Sequence, residues 1–171
     1  MKTEIKLTGR LYAEIIRDLT RPHPFAAERV GFVFGHMGSL EWLILLNRYH
    51  GIPDDQYMND PTVGARIGKE ALTWAMQAVY QGRPTREGIF HIHLHGHKGE
   101  TRMSGVDSRE IPNLLPGFQS MGRDAAHGII ILSLDHGSGW VWLPGSKEPC
   151  QVDSVNIIGV PIGVFEQGGK R

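Results

Sequence analysis

Gly88-Ile89-Phe90-His91-Ile92-His93-Leu94-His95-Gly96-His97 carries four of the chain's nine histidines at every second position, and Ser104-Gly105-Val106-Asp107 follows shortly after. In an extended strand alternate side chains point to one face. The stretch is therefore predicted to be a strand with His91, His93, His95 and His97 lined up together. A row of imidazoles beside a carboxylate is costly to bury unpaired, but it suits a divalent transition metal of the zinc type. The chain's chemistry is expected here.

The flanking elements follow from periodicity. Apolar residues at 11, 12, 15, 16 and 19 form a helical stripe that stops before Arg21-Pro22. Val30 to Gly35 is a short apolar strand, and Leu40 to Tyr49 reads as another. Asp60 and Pro61 supply an N-cap and a proline at the first helical position. Val63, Ile67, Ala71, Trp74 and Ala78 then step by three or four, which predicts a long amphipathic helix ending near Gly82. A short helix is expected from Asp107 to Leu115, limited by Pro112 and Pro116. Gly128 to Leu134 and Trp140 to Leu143 flank His136-Gly137-Ser138-Gly139 as a hairpin, and Val152 to Phe165 supplies one or two last strands. Strands interleaved with two substantial helices argue for an α/β (α+β) domain built on a mixed sheet.

With 171 residues, 40% of them hydrophobic and 21% charged, the chain fits one globular domain over 1–171. Lysine plus arginine and aspartate plus glutamate stand at 18 each. No basic excess points to nucleic acid, and no cationic amphipathic stretch points to a membrane. Met1 to Lys6 lacks the apolar core of a signal peptide, and no run approaches a membrane span, so a cytoplasmic protein is expected. The one cysteine, Cys150, excludes an internal disulfide and reads as an incidental thiol.

Two imidazoles and a carboxylate make an open tetrahedral site of the catalytic kind, with its fourth position left for water or substrate. Such an ion lowers the pKa of water to about 7. Amide hydrolysis also needs a general base and acid and a donor for the tetrahedral oxyanion. A serine beside the metal can be that donor. Glu28, directly before the apolar strand in Ala27-Glu28-Arg29-Val30-Gly31, is the candidate for the proton transfers, although a solvated strand end would read the same way.

Taken together, these residues resemble the pattern of the JAB/MPN metalloproteases of the JAMM type, over residues 10 to 165. That pattern is a glutamate opening a Gly-containing apolar strand, then His-x-His, a spacer and Ser-x-x-Asp. Glu28 to Gly35 matches its first part and Ser104 to Asp107 its last. The resemblance implies an MPN/JAB-like (cytidine-deaminase-like) mixed β-sheet flanked by helices, and one Zn2+ per chain. It implies zinc ligands at Asp107 and two histidines, a general base and acid at Glu28, and a stabilising hydroxyl at Ser104. The spacer to Ser104 is eight residues from His95, ten from His93 and six from His97. The eight-residue spacer is one longer than the pattern's own, which favours His93 and His95. His91 in place of His95 is the alternative, because Gly88-Ile89-Phe90 resembles the approach to His-x-His in many relatives. His97, after Gly96, is then expected in the loop as an outer group.

The resemblance further implies an isopeptidase or protease acting after the C-terminus of a ubiquitin-like protein. Close-looking relatives are encoded beside E1-like and E2-like proteins in bacterial ubiquitin-like conjugation systems linked to phage defence. Loops 51–58 and 108–122 fall where the family places substrate-gripping insertions. Two other readings compete. One is a non-catalytic MPN scaffold that binds partner proteins. The other is an unrelated metal enzyme: a zinc deaminase, which would need a Pro-Cys-x-x-Cys that this chain lacks, or a cupin-like protein with His127 or His136 as a distal ligand. Trp140 and Trp142, alternate residues on a strand, are expected to be core.

Overall fold

Thr3-Glu4-Ile5-Lys6-Leu7-Thr8 alternates polar and apolar residues, and that alternation closes the molecule. In the computed structural model this stretch is a strand (β1, Thr3–Thr8) with Ile5 and Leu7 buried on one face. It runs on into a helix (α1, Gly9–Leu19), followed by strands β2 (Val30–Met37) and β3 (Leu43–Gly51). Next come helix α2 (Lys69–Gly82), strand β4 (Gly88–Leu94) and helix α3 (Asp107–Met121). Strands β5 (His127–Leu132), β6 (Gly137–Trp142), β7 (Cys150–Ile158) and β8 (Gly163–Glu166) complete the order. The structure describes residues 2–22, 24, 27–40, 42–60, 64–103, 105, 107–159 and 163–166, with backbone only for 107–112 and 163–166.

Neighbouring strands run β1-β3-β2-β4-β5-β6-β7, and β7 pairs back onto β1. β1 is parallel to both β3 and β7, with Ile5 opposite Ile44 on one side and Val155 on the other. Seven strands therefore form a closed barrel, and β8 adds to β7 outside the ring. This overturns the expected α/β (α+β), MPN/JAB-like (cytidine-deaminase-like) sheet flanked by helices. The N-terminal strand joins what would be two edges, and a closed ring leaves no edge to protect.

Closure creates two cores on opposite faces of one wall. The inner core draws on all seven ring strands, among them Ile5, Val33, Ile44, Phe90, Ile92, Ile130, Val141 and Val155. α1 belongs to it: Thr8 caps the helix by accepting from the Leu11 N–H at 3.2 Å, and Leu11, Ile15 and Leu19 pack inward at four-residue spacing. The outer core lies over β2, β4, β5 and β6. There Phe32, Phe34, Ile89, Ile129 and Ile131 meet Ala71, Ala75 and Val79 of α2 and Leu115 and Phe118 of α3. The small α2 residues let the helix lie close against the strands. Trp140 and Trp142 pack against this outer core, as expected of core residues. Among the described residues no helix is long and apolar enough to cross a membrane.

Several boundaries differ from the periodic reading. α2 starts at Lys69, after Gly68, where Ile67 is still held in a bridge to Tyr57; Pro61 and Val63 lie outside the described residues. α3 continues through Pro112 and Pro116 to Met121. β4 ends at Leu94, so of the four histidines expected on one strand only His91 and His93 lie on it, and His95 and His97 lie beyond its end.

His127 is buried at the start of β5. Its Nδ1 accepts from the Ile89 N–H at 3.2 Å, so its Nε2–H donates to the Gly122 carbonyl at 2.8 Å. Burial first of all lowers its pKa below the ordinary 6.5. The unfolded chain therefore binds a proton that the folded one refuses. The resulting stability is present above pH 6.5 and is lost as pH falls below it. Urea midpoints should fall between about pH 7.5 and about pH 5, and His127→Gln should flatten that part of the profile. Ile5→Ala, at a fully buried position of the closing strand, should cost about 2–5 kcal/mol in urea unfolding. A cost near zero would mean that β1 does not seal the ring.

Candidate metal centre

Because side chains alternate on β4, Phe90, Ile92 and Leu94 enter the barrel, and His91 and His93 emerge on the outer wall. β2 is antiparallel to β4 with Val30 opposite His93. Carried two residues past that pair, the register brings position 28 level with position 95. His95 has left the strand, yet its N–H still donates to the Leu132 carbonyl at 2.8 Å and prolongs the ladder to β5. Glu28, His93 and His95 thus converge from two neighbouring strand ends.

Their nitrogen and carboxylate atoms all lie within 4.8 Å of one another, and the three can hold a metal ion. His93 Nε2 stands 3.2 Å from His95 Nε2. Two nitrogens at roughly 2.0–2.1 Å from a single tetrahedral ion would be about 3.3 Å apart, so the pair is already spaced to share one. Glu28 Oε1 is 4.0 Å from His95 Nε2. That longer separation suits a carboxylate working beside an ion through a water, as well as one that closes on it. Exposure is graded: His93 is 2% exposed, and the side chains of His95 and Glu28 are 14% and 32% exposed. The centre is therefore reached from solvent on the Glu28–His95 side.

The segment bearing Glu28 is fixed by its neighbours. The Glu28 N–H donates to the Gly64 carbonyl at 2.7 Å. A Cβ on Gly64 would lie 3.3 Å from Glu28 Oε2, so the chain approaches the carboxylate closely there. The Tyr57 hydroxyl donates to the Val30 carbonyl at 2.9 Å and accepts from the Val30 N–H at 3.0 Å. The Arg29 side chain is 1% exposed. Its Nε donates to the Arg21 carbonyl at 2.6 Å, and its Nη2 to Asp54 Oδ1 at 2.8 Å. Carbonyls just past the end of α1 and a carboxylate thereby offset a buried charge that would otherwise be costly.

Of the residues singled out from the sequence, the structure brings together Glu28, His93 and His95. His91 is half-buried on the same face, edge-on to Phe32 with ring centroids 6.1 Å apart. His97 is exposed in the following loop. Asp107 is the first residue of α3, and its side chain, like Ser104, lies outside the described residues. His127 has both ring nitrogens bonded to backbone, so it offers nothing to a cupin-like site. His136 Nδ1 pairs with Asp135 at 2.9 Å, and among the described residues neither histidine joins the cluster. Arg29, Tyr57 and Gly64 were not marked by any motif. The apolar run after Arg29 was the one available hint that its side chain would be buried. No protein-family model matches the chain, and no curated protein matches it.

If the cluster holds Zn(II) or Co(II), His93→Ala and His95→Ala should each lower affinity at least about 100-fold, since each would remove a direct ligand and outer groups alone count for 10–100-fold. His91→Ala should bind as the natural chain does. Equilibrium dialysis with metal analysis tests both, and dependence on His91 with indifference to His95 would reassign the pair.

Proposed function

We propose that this chain is a zinc-dependent hydrolase with JAMM-type chemistry, cleaving the isopeptide or peptide bond after the C-terminus of a ubiquitin-like protein. The observation that carries the reading is the convergence of Glu28 with the 3.2 Å His93–His95 pair. The order of the residues supports it too, with Ser104 and Asp107 following the histidines along the chain. The closed barrel is no part of the argument, which rests on the constellation alone.

His93 and His95 would hold the ion, with Asp107 as the further protein ligand. Nitrogen and oxygen donors in an open set suit zinc. When bound there, zinc supplies a Lewis acid and a source of hydroxide at neutral pH. Glu28, a third exposed and beside His95, takes the proton from the attacking water at a carboxylate oxygen and returns it to the leaving amine. Ser104 donates to the oxyanion that forms on the substrate carbonyl. The substrate is a ubiquitin-like protein or its conjugate, and E1-like and E2-like proteins of a bacterial, antiphage conjugation system are its functional partners. The reaction takes place in the cytoplasm.

The test is cleavage of ubiquitin-like fusions by the zinc-loaded chain, alongside Glu28→Gln. That variant should keep its zinc and lose about 10²–10⁴-fold in rate. Equal rates would remove Glu28 from the proton transfers. Stoichiometric zinc with every fusion uncut would sink the substrate class. A chain that takes up no zinc and cuts nothing would be better explained as a partner-binding scaffold.

A further inference from the structure

His93, His95 and His97 form a graded row from the buried wall to solvent. His93 is buried, His95 is half-buried and His97 is exposed. Neighbouring rings stay close throughout, with centroids 5.0 Å apart from His93 to His95 and 5.4 Å apart from His95 to His97. We propose that His97 is a capture ligand, the exposed imidazole through which metal ions load into and leave the His93–His95 site. This deepens the metal reading above and rests on it.

Three observations carry the inference. First, the pair that would hold the ion is the least accessible part of the row. A hydrated divalent ion must shed water before the buried His93 nitrogen can reach it, and an exposed imidazole can begin that exchange. Second, His97 is held in place although it is exposed. Its carbonyl accepts from the Leu134 N–H at 3.0 Å. Two residues on, the Gly99 N–H donates to Asp135 Oδ1 at 2.7 Å and the Gly99 carbonyl accepts from the Ser133 hydroxyl at 2.8 Å. The Thr101 hydroxyl donates to the Ser138 hydroxyl at 2.5 Å, fastening the far side of the loop to β6. A surface loop tied at these points keeps its histidine beside His95. Third, His97 Nδ1–H donates to the Lys98 carbonyl at 3.0 Å. In the neutral ring this leaves Nε2 as the lone-pair nitrogen, and an N–H to carbonyl bond of this kind is the usual support of a ligating histidine. An ion first held by His97 meets the second imidazole as an intramolecular partner at high effective concentration.

The experiment follows Co(II) and Zn(II) alone, loading into the full chain and passing from it to a chromophoric chelator, by stopped flow. His97→Ala should load and release roughly tenfold more slowly, at the same stoichiometry and with affinity within about twofold. His97→Asp, which restores a donor, should recover most of the rate. His36→Ala, a histidine near the opposite end of β2, should behave like the natural chain. Natural rates in His97→Ala would overturn the proposal. So would loss of bound metal at equilibrium, which would make His97 a resident ligand. If the natural chain takes up no metal, the metal reading itself fails, an outcome distinct from a chain that binds metal with rates indifferent to His97.

Discussion

The register between β2 and β4 is the constraint on which the other features depend. Val30 opposite His93 and Phe32 opposite His91 put the imidazoles of β4 on the outer wall, and Phe90 and Ile92 inside the barrel. Strand side chains alternate with a period of two, so a slip of one residue would turn this arrangement over. Imidazoles would then face a barrel lined mainly by apolar side chains such as Ile5, Val33, Ile44 and Ile130, where burying them is costly. The slip would also carry position 28 away from position 95. One register therefore sets both the apolar filling of the barrel and the meeting of Glu28 with the histidines. Stability and the candidate chemistry are selected by the same pairing.

The polar groups around the Glu28 segment follow from that arrangement. Where β2 begins, Val30 is still buried, and its N–H and carbonyl are both met by one group, the Tyr57 hydroxyl. Burial raises the pKa of that phenol, so it stays protonated and able to donate. Arg29 closes the other face of the segment, tying it to the chain beyond α1 and to Asp54. Tyr57 and Asp54 both belong to the stretch between β3 and α2, in which Tyr57 bridges to Ile67 and the Gly64 carbonyl meets the Glu28 N–H. The delayed start of α2 thus shapes the surroundings of Glu28. A helix begun at Asp60 would have tied up the Gly64 carbonyl that accepts from the Glu28 N–H and moved the chain that lies against its carboxylate.

Much of this was legible in the sequence where one local rule governs. The spacing of Leu11, Ile15 and Leu19 found α1, and the alternation of histidines found β4 and the face they share. The failure over the fold has a specific origin in Thr3 to Thr8. Its alternation of Glu4, Ile5, Lys6 and Leu7 is a period-two signal, but it is short, and a strand that pairs in parallel with two partners far along the chain announces neither of them. α3 misled for the opposite reason, since Pro112 and Pro116 argue locally for an early stop that the helix does not make. Within the site, His93 and His95 were picked out by the alternation that metal chemistry favours, and Glu28 by its place before the apolar strand and the resemblance to a glutamate-led pattern. Arg29 and Tyr57 were not, because their roles depend on backbone groups that only tertiary structure brings to them.

The site and the barrel are separable in their physics, and this decides what the fold can say about function. A His-x-His on a strand end needs only two things to become a metal centre: a neighbouring strand that brings a carboxylate level with it, and a wall that leaves one side wet. β2 and β4 supply both here, with the carboxylate 4.0 Å from His95 and a third exposed. An open sheet with the same pair of strands would do as well, so the closure by β1 neither favours nor opposes hydrolysis. Closure contributes rigidity. β4 is paired on both sides, by β2 and by β5, and His95 beyond its end is still tied to Leu132. Two imidazoles fixed at the separation an ion requires would lose little freedom on binding one, and ligands on a strand or tied to its end hold their geometry better than ligands carried on free loops.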